Sequence, residues 1–272
     1  MIGGMDRKPY PSDLSDIEWL IMEPLIPPAK KGGRHRSVNM REAVNAIFYM
    51  LRSGCAWRML PHDFPPWQTV YGYFNTWREG DVWEEMNDTL REAVRQEDGR
   101  ENEPSAAIID SQSVKTTEVK GERGYDSNKK VKGRKRHILV DVLGLLLVVV
   151  VHKASIQERA GAKLLLQRAV QKGFIRLELI WADGGYSGQP MIDWVWQLAG
   201  WLFEVIKRTE DAVGFVVLPR RWVVERTFAW LGRYRRLSKD YEQLPETSEA
   251  MIYAAMVHIM LRRLARNPAL AL

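Results

Sequence analysis

The chain has 272 residues, 46% of them hydrophobic and 27% charged, close to the globular average, which excludes a disordered or collagen-like polymer. Its 40 Lys and Arg against 34 Asp and Glu give a net charge of +6, unevenly spread: counted by halves, residues 1–104 carry −4 and residues 105–272 carry +10. Basic residues gathered in one half suggest a polyanion partner, because Lys and Arg neutralise phosphates and release their counterions. A single cysteine, Cys55, excludes an internal disulfide framework, and Cys55 with the five histidines shows no zinc-type spacing. The opening MIGGMDRKPYPSD lacks the apolar stretch of a signal peptide. The longest apolar run, 145–151, falls short of the about 18 residues that a spanning helix needs. A cytoplasmic protein with no membrane segment is expected.

The first hundred residues read as short helices punctuated by Pro and Gly. Ser12 or Asp13 can cap a helix carrying Leu14, Ile17, Trp19, Leu20 and Ile21, which Pro27 and Pro28 end, and a basic loop from Lys30 to Arg36 follows. Asn39 can cap a second helix with Val44, Ile47, Phe48 and Leu51, stopped at Gly54. Pro65 and Pro66 start a third helix with Val70, Phe74 and Trp77, and Asp81 caps a fourth with Trp83, Met86, Leu90 and Val94. This domain, 1–100, reads equally as a plain bundle anchored by Trp57, Trp67, Trp77 and Trp83 or as a helix-turn-helix DNA reader. In the second reading, residues 68–78 are the recognition helix. The polar, Pro-ended stretch RQEDGRENEP, 95–104, reads as the linker to a second domain, 105–272.

Beyond it the periodicity changes. Residues 106–114, 136–142 and 145–151 read as strands, the last two joined by a tight turn at Leu143 and Gly144. A helix over 158–171, a strand over 177–182 ending at Asp183, a helix over 189–199 and a strand over 201–206 follow. Two more helices, 222–234 and 248–264, complete a mixed α/β sheet with flanking helices. In open α/β sheets sites sit at strand ends, and Asp110 and Asp183 occupy such places. An acidic side chain within an apolar strand is costly to bury unpaired, so each calls for a basic partner or a metal. Asp before Gly-Gly is also ordinary turn chemistry. In the tail, Arg221 and Glu225 stand four apart on an otherwise apolar helix, where they form either an exposed ion pair or part of a site. Three carboxylates without Cys or His company suit Mg2+ or Mn2+.

Four strings carry a family resemblance: IIDSQSV at 108–114, GYDSNKKVKGRKRHILVDVLGL at 124–145, WADGGYSG at 181–188 and GFVVLPRRWVVERTFAWLGRYRRLSKDYE at 214–242. With EWLIMEPLIPP and GCAWRMLPHDFPPWQTVYGYF ahead of them, the chain from Tyr10 to Arg263 resembles bacterial insertion-sequence transposases of the DDE type, in the insertion sequence five group. The resemblance implies a ribonuclease-H-like catalytic domain in which Asp110, Asp183 and Glu225 are the triad holding two Mg2+ or Mn2+ ions. It further implies binding of the element's terminal inverted repeats, strand cleavage and strand transfer to target DNA, with at least a dimer in the complex. In the wider family a Tyr precedes the Arg and a Lys follows the Glu. Here Leu218 and Gly232 hold those positions, and Arg233, one place on, is the candidate phosphate contact.

The densest basic segment, with Lys129, Lys130, Lys132, Arg134, Lys135 and Arg136, is a candidate clamp on the DNA backbone, the alternative being a solvated hairpin loop. Arg220, Arg221, Arg226, Arg235 and Arg236 extend it. Asp126, Asp141 and Asp193 are competing carboxylates, Asp141 the most serious, while His137 and His152 are expected to bond locally. The competing function is a transposase-derived DNA-binding protein that no longer cuts. A metal nuclease without strand joining is a third reading.

Overall fold

Ser15, rather than Ser12 or Asp13, opens the first helix: its hydroxyl accepts from the Glu18 amide and the Glu18 carboxylate answers the Ser15 amide, a capping box for α1 (Asp16–Met22). The computed structural model describes residues 7–29, 32, 36–118, 120–206 and 222–266, so Lys30, Lys31, Arg34 and His35 of the basic loop, Leu218, Arg220 and Arg221 lie outside the described residues. Asn39 caps α2 (Met40–Ser53), as its sequence predicts, and α3 (Trp67–Glu79) follows Pro66. Asp81 precedes α4 (Val82–Glu97) but caps nothing with its side chain, its backbone being left-handed at φ 54°.

The second part is a six-stranded sheet. β1 (Ala106–Lys115) pairs antiparallel with β3 (Val131–Asp141) along its whole length and parallel with β5 (Leu179–Ala182), which pairs parallel with the edge strand β6 (Leu202–Val205). The far side of β3 is shared by β2 (Gly124–Asp126) at its start and β4 (Leu146–Lys153) over the rest. Helices α5 (Glu158–Lys172) and α6 (Gln189–Ala199) cover one face, with Leu165, Leu166, Met191 and Val195 against Ile109, Leu139 and Ile180. α7 (Trp222–Gly232) and α8 (Pro245–Leu264) lie on the other, where Ile108, Ile138 and Trp181 meet Val223, Val224 and Met256. This order of three antiparallel strands followed by two parallel ones, with helices on both faces, is a ribonuclease-H-like α/β fold.

Two differences from the sequence reading bear on the site. The basic segment 131–136 is strand rather than loop, extending β3 toward β2. And the helices before the sheet share one continuous apolar core with α7, α8 and the sheet, Phe48 stacking on His258 at 4.3 Å between ring centres. No helix among the described residues is long and apolar enough to cross a membrane.

Candidate active site

Parallel pairing of β1 with β5 sets Ala106 beside Leu179 and Ile108 beside Trp181. Continued two residues past that last pair, the same register sets Asp110, still within β1, opposite Asp183, the first residue after β5. Alternation assigns both to one face: Ile108 and Trp181, each two residues earlier, belong to the core that contains α7, whereas Ile109 and Ala182 belong to the opposite one. Both aspartates are half-buried. Backbone amides orient them, Ser111 N–H donating to Asp110 Oδ1 at 2.7 Å and Gly185 N–H to Asp183 Oδ1 at 2.8 Å, where Asp183 caps a 3-10 turn, Gly184–Tyr186.

Glu225 starts from α7, which packs against β1, but it lies on the exposed side of that helix, opposite Val223, Val224, Thr227 and Leu231. Among the described residues no three His, Cys, Asp or Glu side chains stand close enough to hold an ion together. The register thus sets the two aspartates on one face of neighbouring strands, and Glu225 is on the neighbouring helix of that face. Half-buried hard oxygen donors at one level of two strands fit a divalent cation such as Mg2+ or Mn2+.

Behind the aspartates lies a polar cluster that the sequence reading missed. Glu158, the first residue of α5, accepts the Ser111 hydroxyl at 2.6 Å and stands 3.1 Å from Lys135 Nζ, 3.2 Å from His137 Nε2 and 3.6 Å from Lys129 Nζ. Burial alone would raise its carboxyl, but the His137 ring 3.2 Å away, the Ser111 hydroxyl and the ammonium groups of Lys129 and Lys135 hold it well below the ordinary carboxylate range. His137 in turn meets His152 at 2.8 Å, and burial lowers both, His152 to about 4. Tyr186 is buried within reach of the charges of Asp110, Glu158 and Asp183, and burial and those charges push its phenol up. The signal for Glu158 was positional: β4 runs parallel to β1, so a carboxylate just after β4 emerges at the same sheet edge as Asp110.

The basic residues divide. Lys129, Lys130 and Lys132 are exposed at the β2–β3 hairpin. Arg134, Lys135 and Arg136 are buried in β3 and turned to internal partners, which removes them from a DNA-facing surface. Arg134 pairs with Asp240 at 3.2 Å and donates to the carbonyls of Glu242 and Gln243; Arg136 donates to those of Leu237 and Lys239, and burial lowers it to about 10. Lys135 also holds Asp126 at 3.3 Å. Arg226 lies between the rings of Trp222 and Trp230 and donates to the Leu143 carbonyl, while Arg233 is exposed. Arg235 is exposed and Arg236 is paired with Glu242 at 2.7 Å. Of the rival carboxylates, Asp141 is fully buried against Arg95 and bonds the Leu143 and Leu145 amides of the β3–β4 turn. Asp126 bonds the amides of Asn128 and Lys129, and Asp193 is exposed on α6.

The fold is a ribonuclease-H-like α/β sheet, with Asp110 inside β1 and Asp183 directly after β5. The family model for the transposase DDE domain matches residues 101–260, and the chain belongs to that family. A model named for transposases of the IS4/5 family matches residues 14–87. The insertion element IS402 uncharacterized 16.2 kDa protein of Burkholderia cepacia is 29% identical over 108 residues, 38% of this chain and 72% of that protein. The uncharacterized protein y4sN of Sinorhizobium fredii is 35% identical over 73 residues, 27% of this chain and 58% of that protein.

Proposed function

We propose that this chain is a DNA transposase that binds the terminal inverted repeats of its element, cuts at their ends and transfers the freed strands to target DNA, working as at least a dimer on two ends. The observation that supports this reading is the parallel register of β1 and β5, which, continued two residues past its last pair, sets Asp110 within β1 opposite Asp183 just after β5. Asp110 and Asp183, joined by Glu225 from α7, would hold the divalent cations, two Mg2+ or Mn2+ ions. Bound there, such ions supply a water or a DNA 3′-hydroxyl as nucleophile at neutral pH and offset charge on the leaving oxygen. The chain's own part is to aim the carboxylates through the Ser111 and Gly185 amides and to keep DNA over that sheet edge. Lys129, Lys130, Lys132 and Arg233, all exposed, are the phosphate contacts we assign, and Arg221 keeps that role as a proposal outside the described residues. The exposed face of α3, with Gln68 and Thr76, is the surface we assign to base reading.

The test is incubation of wild type and Asp110→Asn with a duplex carrying the element's terminal repeat and Mg2+. Nicked and joined products from wild type alone, with equal binding by both, are expected. Equal binding with no cutting by either would leave a DNA-binding protein. Cut ends without joined product would leave a nuclease.

A further inference from the structure

Resting on the two-aspartate cation site proposed above, we propose that Glu158 is a positioning residue, fixing the spacing of Asp110 and Asp183 by tying the supports of both carboxylates to one anchored side chain. Its anchorage comes from β3. Lys135 and His137 are buried in that strand, 3.1 and 3.2 Å from the Glu158 oxygens, and Lys135 is itself fixed by the Ile156 carbonyl at 3.0 Å and by Asp126. From this fixed point Glu158 reaches two ways.

Toward β1, it accepts the hydroxyl of Ser111, the residue whose backbone amide aims Asp110. Toward β5, its side chain lies against the turn that follows Asp183. A Cβ placed on Gly185 would crowd Asp183 Oδ1 at 3.0 Å and lie in ordinary van der Waals contact with Glu158 Cγ at 3.6 Å, so the glycine makes room for the Asp183 carboxylate and sits against Glu158. Tyr186 fills the space between, buried at 1% exposure. Both oxygens of Glu158 are already taken by Ser111, His137 and Lys135, so its contribution is geometry rather than a ligand bond. Residues that orient metal ligands in this way are worth about 10–100-fold in metal affinity.

The experiment uses the full chain and Mn2+ alone as probe, titrated while free Mn2+ is read by electron paramagnetic resonance, with melting points taken alongside. Wild type is expected to bind Mn2+ and Asp110→Asn to lose it. Ser111→Ala removes the hydroxyl that Glu158 accepts, and with it an acceptor of Lys129 Nζ at 3.3 Å, but leaves the ion pairs of Glu158 with Lys135 and Lys129 in place, so it should melt close to wild type yet bind Mn2+ about tenfold more weakly. Ser111→Thr, which keeps the hydroxyl, should restore affinity. Glu158→Gln should weaken binding at least as much, and the double variant should be no weaker than Glu158→Gln alone, because both act through one hydrogen bond. A folded Ser111→Ala with affinity within twofold of wild type overturns the positioning role while the cation site stands. Additive losses in the double variant do the same. Mn2+ binding that Asp110→Asn leaves intact overturns the cation site, and this inference with it.

Discussion

Arg134 and Lys130 lie in one basic string and do opposite work. Arg134 is a buried cation whose charge is met by Asp240 and by carbonyls of the 242–243 segment, so removing its head leaves an unpaired carboxylate and orphaned acceptors. Arg134→Ala should therefore cost about 3–5 kcal/mol in urea unfolding. Lys130→Ala and Lys132→Ala, exposed at the hairpin, should stay within about 0.5 kcal/mol of wild type. Each should instead lower the slope of log K against log salt for DNA binding by about 0.9. An unchanged slope in both would take the hairpin out of the DNA contact. At the same scale, His152 sets an acid limit. Folded it binds a proton only near pH 4, because burial and the neighbouring His137 and Lys135 disfavour its charge, whereas an ordinary histidine does so near 6.5. The unfolded chain thus takes up a proton that the folded one refuses. Stability is full above pH 6.5 and falls as pH drops toward 4, by on the order of 2 kcal/mol. A melting curve measured against pH should show this decline in wild type and a flatter one in His152→Gln over that window; parallel curves would assign the acid sensitivity elsewhere.

Elements carry the next level of control, and α7 is the one whose seat matters to the site. It docks on the β3–β4 turn through the Thr227 hydroxyl, which donates to the Gly144 carbonyl at 2.8 Å, and through Arg226 on the Leu143 carbonyl. Gly144 is left-handed at φ 79°, and a Cβ there would stand 2.8 Å from Thr227 Oγ1 and 3.2 Å from the Trp230 ring. Gly144→Ala should cost about 1–3 kcal/mol, and because α7 bears Glu225, it should reduce strand cleavage more than DNA binding. Equal losses in the two assays would mean that the seat of α7 does not matter to the chemistry. The same elements show what could be read from sequence. Helices α2, α5 and α6 and strand β4 were legible because their apolar spacing is local. The places of Asp110 within β1 and of Asp183 directly after β5 were legible because a carboxylate inside or closing an apolar run is conspicuous. The first half of β3 was not, since KGRKRH looks solvated until its partners Asp126, Glu158 and Asp240 are folded onto it from elsewhere in the chain. Glu158 was hidden differently: it looks like any acidic first-turn residue of a helix.

Across the whole molecule, the polar stretch before β1 reads as a linker, yet the apolar core passes over it without a break. α8 packs on α1, α2, α3 and α4 as well as on β4 and α7, and Met251, Ala255, Met256 and Leu261 are fully buried along it. A helix apolar on nearly every side needs neighbours on every side. Four of those six neighbours, α1 to α4, precede residue 105, and two, β4 and α7, follow it. Removing the first hundred residues would return to water a surface whose burial contributes about 1.5–3 kcal/mol per large side chain, Phe48, Trp77 and Trp83 among the partners lost. For these three alone that is roughly 4.5–9 kcal/mol, comparable to the about 5–15 kcal/mol by which a domain is ordinarily stable. The full chain should accordingly unfold in one transition, coincident by circular dichroism and by tryptophan fluorescence, and a 105–272 fragment should show no cooperative melt. A fragment that melts cooperatively would restore the two-domain reading of the sequence. If it does not, the surface we assign on α3 to base reading and the cutting site we propose on β1 and β5 belong to one core, so that the distance from recognised base to cut phosphate would be set by packing rather than by a flexible connection.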